Sequence, residues 1–385
     1  MSTVAAGIVA FLLAGGFIAW IFHDMREATI HSQLGHLQVV RPGYFDKGIA
    51  DPYRYLLPAK SKAERDIHAL HGVLAMTPRL AFNGLIAHGE TTIPFVGEGV
   101  DPEGEKPVSR RINVMAGQNL EGGANASAVI LGEGLAKSLD VKPGDKVVLL
   151  ATTASGSPNA IEVTVRGTFA TIYKDYDDSA LRLPIGQARK LMRVEGATSW
   201  VVLLDSDERT EDSAKAIASR LDGGDFEVVP WTQLADFYNK TVALYSKQVD
   251  VMKLIIGLII ILTISNTQTV TVLERTTEIG TSLAIGVRQG MVMRLFLIEG
   301  VLIGGLGGVA GIVLGYGLAM IISAIGIPMP PPPGMAHGYV AQIIITPALS
   351  RDALLLAFLT TIIASLMPAW KASRMNVVDA LRCNQ

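Results

Sequence analysis

The stretch LIIGLIIILTISNTQTVTVL, residues 254–273, decides the fold class, because none of its twenty side chains is charged. At 1.5 Å per residue, a helix of this length spans the roughly 30 Å hydrocarbon core of a bilayer. Lys253 and Glu274 flank the stretch and mark its two ends. The stretch therefore predicts a transmembrane helix.

Three more apolar runs predict three more membrane helices. The first charged side chain is Asp24, and Glu299 and Arg351 enclose a long interval without charge. The last run covers residues 353–370. One such run alone could be the buried helix of a soluble domain, but four together are typical of a membrane protein. We expect the helices at about residues 1–23, 251–272, 295–327 and 352–370.

Residues 1–22 could also be a secretory signal. No basic segment precedes this apolar run, and no Ala-x-Ala type of cleavage site follows it. We therefore expect a retained helix that leads into an exported domain. Whether a cytoplasmic leader precedes this start stays open.

The composition excludes several other classes of protein. Hydrophobic residues make up 49% of the chain and charged residues 18%, below the roughly 25% of an average soluble domain. A formal net charge of −2 gives no electrostatic footprint for nucleic acid. The single cysteine, Cys383, cannot form an intrachain disulfide.

The positions of lysine and arginine predict the orientation in the membrane. Basic residues favour the cytoplasmic side of a membrane helix. Residues 273–294 contain three arginines and the C-terminal tail is also basic, whereas residues 328–350 contain neither lysine nor arginine. We therefore expect the 273–294 loop and the tail in the cytoplasm, with residues 24–248 and the 328–350 loop on the opposite side.

The large segment between helices one and two alternates short strand-like and helix-like stretches, which predicts a mixed α/β domain over residues 24–248. Two strands flank the turn-rich residues 154–159 and predict a hairpin. An amphipathic helix with a serine N-cap fits residues 61–76. A strand–helix–strand pattern near residues 198–230 suggests a ferredoxin-like half-domain, and residues 231–250 suggest a helix that continues into the membrane.

This domain shows no catalytic pattern, and we predict neither a catalytic site nor a metal site in it. His31 and His36 fit solvated or capping roles near the membrane. Asp175, Asp177 and Asp178 lack the glycine and terminal glutamate of an EF-hand loop and fit a solvated loop. No Gly-x-x-x-x-Gly-Lys-Ser/Thr motif occurs, so we expect no cofactor in this chain.

The segment from Glu274 to Gly286 has a helical pattern with two faces. Glu274 and Glu278 share one face, whereas Ile279 and Leu283 lie on another. Gly280 and Gly286 permit a close approach or a sharp turn. Such a helix can dock on a cytoplasmic partner or lie on lipid headgroups, and the pattern alone leaves both open.

Four stretches resemble one family. Glu274-Arg275-x-x-Glu278-Ile279-Gly280-x-x-x-Ala284-x-Gly286 resembles the signature of FtsX-like, MacB-type (type VII) ABC permeases. Residues 368–382 resemble the ending of that family, except for Val377 where the family often has proline. Residues 130–136, followed by residues 141–145, resemble the MacB-type periplasmic core domain. Residues 35–39 resemble the segment after helix one in lipoprotein-releasing permeases of the LolC/LolE kind.

The resemblance implies a membrane α-helical permease of one plus three helices, with a large mixed α/β periplasmic domain between helices one and two and an FtsX-like domain over residues 249–385. It implies a bacterial inner-membrane location, a second permease copy or paralogue, and a separate cytoplasmic ABC ATPase dimer that holds ATP and Mg. Motion would pass to the periplasm by mechanotransmission. The residues expected to contact the ATPase are Glu274, Arg275, Glu278, Ile279, Gly280, Leu283, Ala284 and Gly286.

The substrate class stays open at this point. Lipoprotein or another amphiphile is favoured, with a periplasmic carrier or adaptor as a possible partner besides membrane lipid. The alternatives are MacB-like efflux of peptides or drugs, a signalling module that activates a periplasmic cell-wall hydrolase, and a membrane-anchored enzyme.

Three further features of the C-terminal part invite a role. Glu299 lies near the cytoplasmic mouth of helix three and either snorkels to the interface or acts in coupling. Pro330–Pro333 predict an extended segment that is a stiff spacer or a docking strap. Small residues every four positions allow close helix packing, within the chain or at a dimer seam, and they form two stripes, Gly300, Gly304 and Gly308, and Gly307, Gly311 and Gly315.

Overall fold

The computed structural model describes the chain except residues 50, 60, 123–126, 222–223, 332–336 and 376–385. The α-helices are α1 Ser2–Thr29, α2 Lys62–His68, α3 Glu133–Leu139, α4 Lys174–Asp177, α5 Ile185–Met192, α6 Thr210–Arg220, α7 Trp231–Leu234, α8 Asp236–Glu274, α9 Thr276–Ala284, α10 Gln289–Ile325 and α11 Pro347–Ser373. The strands are β1 Leu37–Val40, β2 Val73–His88, β3 Thr91–Val100, β4 Asn113–Gly117, β5 Ala128–Gly132, β6 Lys146–Thr152, β7 Pro158–Ala170, β8 Ala180–Pro184, β9 Ser199–Leu204, β10 Glu227–Pro230, β11 Ile327–Met329 and β12 Tyr339–Ala341.

The chain forms two compact units. The first contains residues 1–23, 240–329 and 339–385, and the second contains residues 24–239 and 330–338. The first unit is helical apart from a short antiparallel pair of β11 and β12. The second unit is the mixed α/β part of the protein.

Four helices, α1, α8, α10 and α11, are long and apolar enough to cross a membrane. One precedes the mixed α/β segment in sequence and three follow it. α8 has 39 residues and α10 has 37, so each is about 55–60 Å long, nearly twice the hydrocarbon thickness of a bilayer. Both helices extend past the apolar runs, because polar residues can continue a helix where the chain meets water.

The core of the first unit joins α1, α8 and α11. Ile8 and Leu12 of α1 lie in one cluster with Ile260 of α8 and Ala357 of α11. Many contacts in this unit involve small residues. Close approach of backbones replaces the hydrophobic driving force that helices lack in lipid.

One sheet organises the second unit. Its strands follow the order β10-β1-β9-β2-β3-β8-β5-β7-β4, and β6 pairs with β2 and β7. β1 is antiparallel to both β9 and β10, so β9 and β10 are parallel to each other and α6 connects them. This is the split strand–helix–strand arrangement that the pattern near residues 198–230 predicts. The β6–β7 pairing forms the predicted hairpin.

The helix predicted over residues 61–76 is wrong in its second half. α2 ends at His68, Gly72 adopts a φ of +94°, and β2 begins at Val73. β2 pairs with β3 and β9. The start of β2 pairs with β9, which is distant in sequence, and this pairing overrides the local helical pattern.

Two other helix ends are decided locally. The Ser61 side chain accepts a hydrogen bond from the backbone N–H of Glu64 over 3.1 Å, so it is the N-cap that the sequence predicts. The helix predicted from residue 231 onward is interrupted at Ala235, which has φ −87° and ψ 59° and separates α7 from α8.

Candidate coupling surface

α9 lies between α8 and α10 with a short break at each end. Arg275, at φ −96° and ψ 14°, separates α8 from α9. At the other end, Gly286 N–H donates to Leu283 O over 3.1 Å, and Val287 N–H donates to Ser282 O over 3.1 Å. These two bonds form a Schellman ending, which needs the φ of +99° that Gly286 adopts.

The apolar face of α9 is fixed to three other helices. Ile279 is buried in a cluster with Val272 of α8, Phe296 of α10 and Ala369 of α11. Leu283 packs against the same cluster. The apolar face predicted from helical spacing is therefore an internal contact face, and it holds α9 against the ends of the long helices.

The opposite face of α9 and the turn after it are open. Glu274, Arg275 and Glu278 are exposed, and neither carboxylate forms an ion pair with another described residue. Ile285 is 81% exposed and Met291 is 65% exposed. We call this exposed set the α9 surface, and it consists of Glu274, Arg275, Glu278, Ala284, Ile285, Gly286 and Met291.

The structure divides the predicted coupling residues between two roles. Ile279 and Gly280 are buried and Leu283 is half-buried, so these three support the helix from inside. The other five lie on the α9 surface. Sequence reasoning missed Ile285 and Met291. The sequence feature that could have identified them is an apolar side chain that does not belong to the buried face of α9.

Both glycine stripes of α10 face other helices of the same chain. A Cβ on Gly308 would lie 3.2 Å from Ala357 Cβ of α11, and a Cβ on Gly311 would lie 2.7 Å from Ile8 Cβ of α1. The remaining four glycines behave in the same way: Gly300 and Gly304 face α11, and Gly307 and Gly315 face α1. The stripes are therefore covered within the chain.

Glu299 is half-buried on α10, directly before Gly300, and forms no ion pair with another described residue. It is not part of the α9 surface as defined by exposure. Its predicted role in coupling or snorkelling stays a prediction.

His36 and Asp177 of the second unit are more enclosed than the sequence suggests. His36 is 2% exposed. Its Nδ1 accepts the N–H of Leu204 over 3.1 Å, and its Nε2 lies 2.8 Å from Asp207 Oδ1. The hydrogen bond from His36, assisted by Arg26, lowers the pKa of Asp207 despite partial burial. His36 thus caps a backbone group inside the fold, and the solvated alternative is wrong for it.

Asp177 is also buried, so the solvated-loop prediction is wrong for this residue. It accepts hydrogen bonds from the backbone N–H and the hydroxyl of Thr171, both over 2.9 Å. Burial raises the pKa of Asp177. Among the described residues, no cluster of three His, Cys, Asp or Glu side chains could hold a metal ion.

The predicted strap lies partly outside the described residues, since these exclude residues 332–336. Within the second unit, His337 Nε2 lies 2.6 Å from Glu133 Oε2 at the start of α3. Lys137 and His337 lower the pKa of Glu133. His337, four residues after the proline-rich segment, thus contacts the stretch that resembles the periplasmic core.

Two family models match the chain. Residues 1–220 match the MacB-like periplasmic core domain, which is more than half of the chain, and residues 251–377 match the FtsX-like permease C-terminal region. The chain belongs to this family of ABC transporter permeases. The second match includes all of α9 and therefore confirms the resemblance that the Glu274–Gly286 motif carried.

The relatives of this permease include proteins named LolC and proteins named MacB. It is 29% identical over 345 residues to the lipoprotein-releasing system transmembrane protein LolC of Xylella fastidiosa, strain 9a5c, which covers 80% of this chain and 79% of that protein. It is 27% identical over 328 residues to the macrolide export ATP-binding/permease protein MacB of Hyphomonas neptunium, covering 81% of this chain and 47% of that protein. The solved periplasmic region of MacB from Actinobacillus actinomycetemcomitans aligns at 14% identity and a TM-score of 0.38, over 53% of this chain and 93% of that chain.

Proposed function

We propose that this permease lies in the bacterial inner membrane and passes ATP-driven motion from a cytoplasmic ATPase to its own periplasmic domain. This motion would release lipoproteins or other amphiphiles. In this proposal residues 273–294 lie in the cytoplasm and residues 24–248 lie in the periplasm. The arginines of the 273–294 segment support that orientation.

The α9 surface is the observation that carries the proposal. A part that transmits force must be rigid, and the buried face of α9 is packed against α8, α10 and α11. Interfaces commonly combine an apolar centre with a polar rim. Ile285 supplies an exposed apolar side chain, and Glu274 and Glu278 supply charge beside it. A partner with a complementary apolar pocket and basic rim fits this surface.

The partner that fits is an ABC ATPase, which the proposal makes a separate subunit. The chain contains no P-loop motif that could cradle the phosphates of ATP. ATP and Mg would therefore bind to a dimer of the ATPase, and each ATPase subunit would contact one permease copy or paralogue through its α9 surface.

The lipoprotein substrate rests on the similarity to LolC, which extends over about four-fifths of both chains. The similarity to MacB covers less than half of that protein. Export of peptides or drugs is therefore the second candidate. A periplasmic carrier or adaptor would accept the released cargo in the first case.

The ATPase contact can be tested by photo-crosslinking in membranes. A photoreactive amino acid replaces Ile285, and a matched variant carries it at Leu244, which is 65% exposed near the opposite end of α8. We expect Ile285 alone to crosslink to a polypeptide with nucleotide-binding motifs. A crosslink from Leu244, or none from Ile285, would contradict the proposed orientation and contact.

The substrate class can be tested by depleting the permease in its own cell. If lipoproteins are the cargo, they should accumulate in the inner-membrane fraction after depletion and return to their destination when the permease is restored. Unchanged fractionation would favour export or signalling instead.

A further inference from the structure

The helix that begins as α1 ends inside the second unit. A π-helical turn, Ile30–Leu34, continues α1, and Gly35 N–H closes the turn on Ile30 O over 2.9 Å. The last carbonyls of a helix have no intrahelical donors and carry a partial negative charge. These carbonyls therefore need partners from elsewhere in the fold.

Three consecutive carbonyls receive such partners from the second unit. Arg182 Nη2, on β8, donates to Ser32 O over 2.9 Å. Arg79 Nη1, on β2, donates to Gln33 O. The backbone N–H of Arg111 donates to the carbonyl of residue 31 over 3.0 Å. The helix end is thus tied to two strands and a loop at once.

The two arginines are buried with their counter-charges. Arg79 pairs with Glu105. Arg182 lies 2.8 Å from Glu98 and 3.6 Å from Glu105, measured from Nη2 to Oε2 and from Nη1 to Oε1. The Arg79, Arg182 and Glu105 side chains are at most 6% exposed. Buried charges are costly unless they are paired, so this network holds each guanidinium in a fixed direction.

The segment that leads into α8 packs against the same part of the second unit. Trp231 of α7, together with Ala235, is buried in a cluster with Ile30, Val201 and Leu203. The backbone N–H of Trp231 also donates to the backbone carbonyl of His36 over 3.0 Å. The two segments that lead out of the second unit toward α1 and α8 therefore share one anchor on the sheet.

We propose that Arg79 and Arg182 form a clamp that transfers displacement of α1 to the sheet of the second unit. They would be positioning residues for the transport cycle. This inference rests on the proposed function, because only a force-transmitting permease needs such a joint. Guanidinium groups suit the task, since their planar fork of donors is preorganised and binds several acceptors in fixed geometry. Apolar packing alone would let the helix end slide or rotate.

The test uses the full-length permease in complex with the ATPase that crosslinks to it. The variant Arg79→Met with Glu105→Gln removes one arm of the clamp and leaves the Arg182–Glu98 pair intact. The control variant Lys146→Met with Glu162→Gln removes an ion pair of 2.7 Å in the β6–β7 hairpin, with the same change of charge. Arg79→Lys is the conservative variant, which keeps the charge and loses the fork.

Hydrogen exchange measures the outcome in two regions. Without nucleotide, amides 30–36 should exchange about tenfold faster in the first variant than in the control, since a hydrogen bond to a charged group contributes about that factor. Addition of Mg·ATP should change the exchange rate of the amides of residues 73–100 in the control. The first variant should lose this change when it is compared at an equal number of ATP molecules hydrolysed. Arg79→Lys should give an intermediate response.

The experiment distinguishes a failure of the proposed function from a failure of the proposed clamp. A wild-type complex with no response to Mg·ATP would overturn the proposed function. A responding wild type together with an equal response in Arg79→Met with Glu105→Gln would overturn the clamp. If that variant does not fold, a full response in folded Arg79→Lys would overturn it as well.

Discussion

Gly311 of α10 lies directly against Ile8 of α1, and a Cβ on this glycine would approach Ile8 Cβ to 2.7 Å. The two backbones meet because one of them has no side chain at this point. The membrane-spanning part of this permease therefore depends on glycines that pack against α1 and α11 within the same chain.

Replacing Gly311 with leucine should destabilise the first unit by about 1–3 kcal/mol, the usual cost of overpacking a filled interior. The unfolding midpoint in detergent measures this loss. The control is Gly317→Ala on the same helix, where a Cβ meets nothing within 4 Å. We expect a change of no more than about 0.5 kcal/mol for the control, and equal midpoints for the two variants would contradict the packing argument.

Replacing Glu278 with lysine should weaken binding to the ATPase by about tenfold or more, because it reverses a charge on the α9 surface. The second unit should stay folded, since Glu278 belongs to α9 of the first unit. Binding of the purified ATPase and its stimulated turnover measure the effect. Glu90→Lys makes the same change of charge on the exposed β2–β3 turn and should have no effect. Normal stimulation by the Glu278 variant would remove this residue from the proposed contact.

The purified chain alone should hydrolyse no ATP, because it has no P-loop motif. Addition of the ATPase should produce ATP turnover. A phosphate-release assay on the chain, repeated after a second chromatographic step to remove traces of ATPase, provides the measurement. Turnover that follows the permease peak through both steps would show a nucleotide site in this chain.

The contact between Asp207 and His36 predicts a pH dependence. The hydrogen bond from His36 lowers the pKa of Asp207 in the folded protein. A carboxylate with a lowered folded pKa stabilises the fold fully above its unfolded pKa of about 3.9 and loses that contribution as the pH falls through the folded value. Asp207→Asn should therefore be less stable than wild type near neutral pH, and the difference should shrink in acid.

Unfolding midpoints at several pH values from neutral to acid measure this difference. Asp225→Asn is the matched control, because the Asp225 side chain is 68% exposed in its ion pair with Arg41 and such pairs contribute little. A constant gap between wild type and Asp207→Asn at all pH values would contradict the assignment.

Much of the membrane part could be predicted from the sequence. Each apolar run is long enough to cross a bilayer, and a helix in lipid satisfies its backbone hydrogen bonds within its own segment. The two faces of α9 also follow from local spacing. Both features depend on residues within one continuous segment, so residue order is sufficient to predict them.

The tertiary structure alone decided which surfaces the glycine stripes cover and how the second unit holds the end of the first helix. Residues 73–76 carry a helical pattern yet lie in β2, because β9 pairs with that part of the strand from a distant part of the sequence. Arg79, Glu98, Glu105 and Arg182 look like ordinary charged residues until β2, β3, β8 and the loop after β3 bring them together. Pairing between distant segments has no local signature, so only the folded chain shows that the two arginines donate to the carbonyls of Ser32 and Gln33.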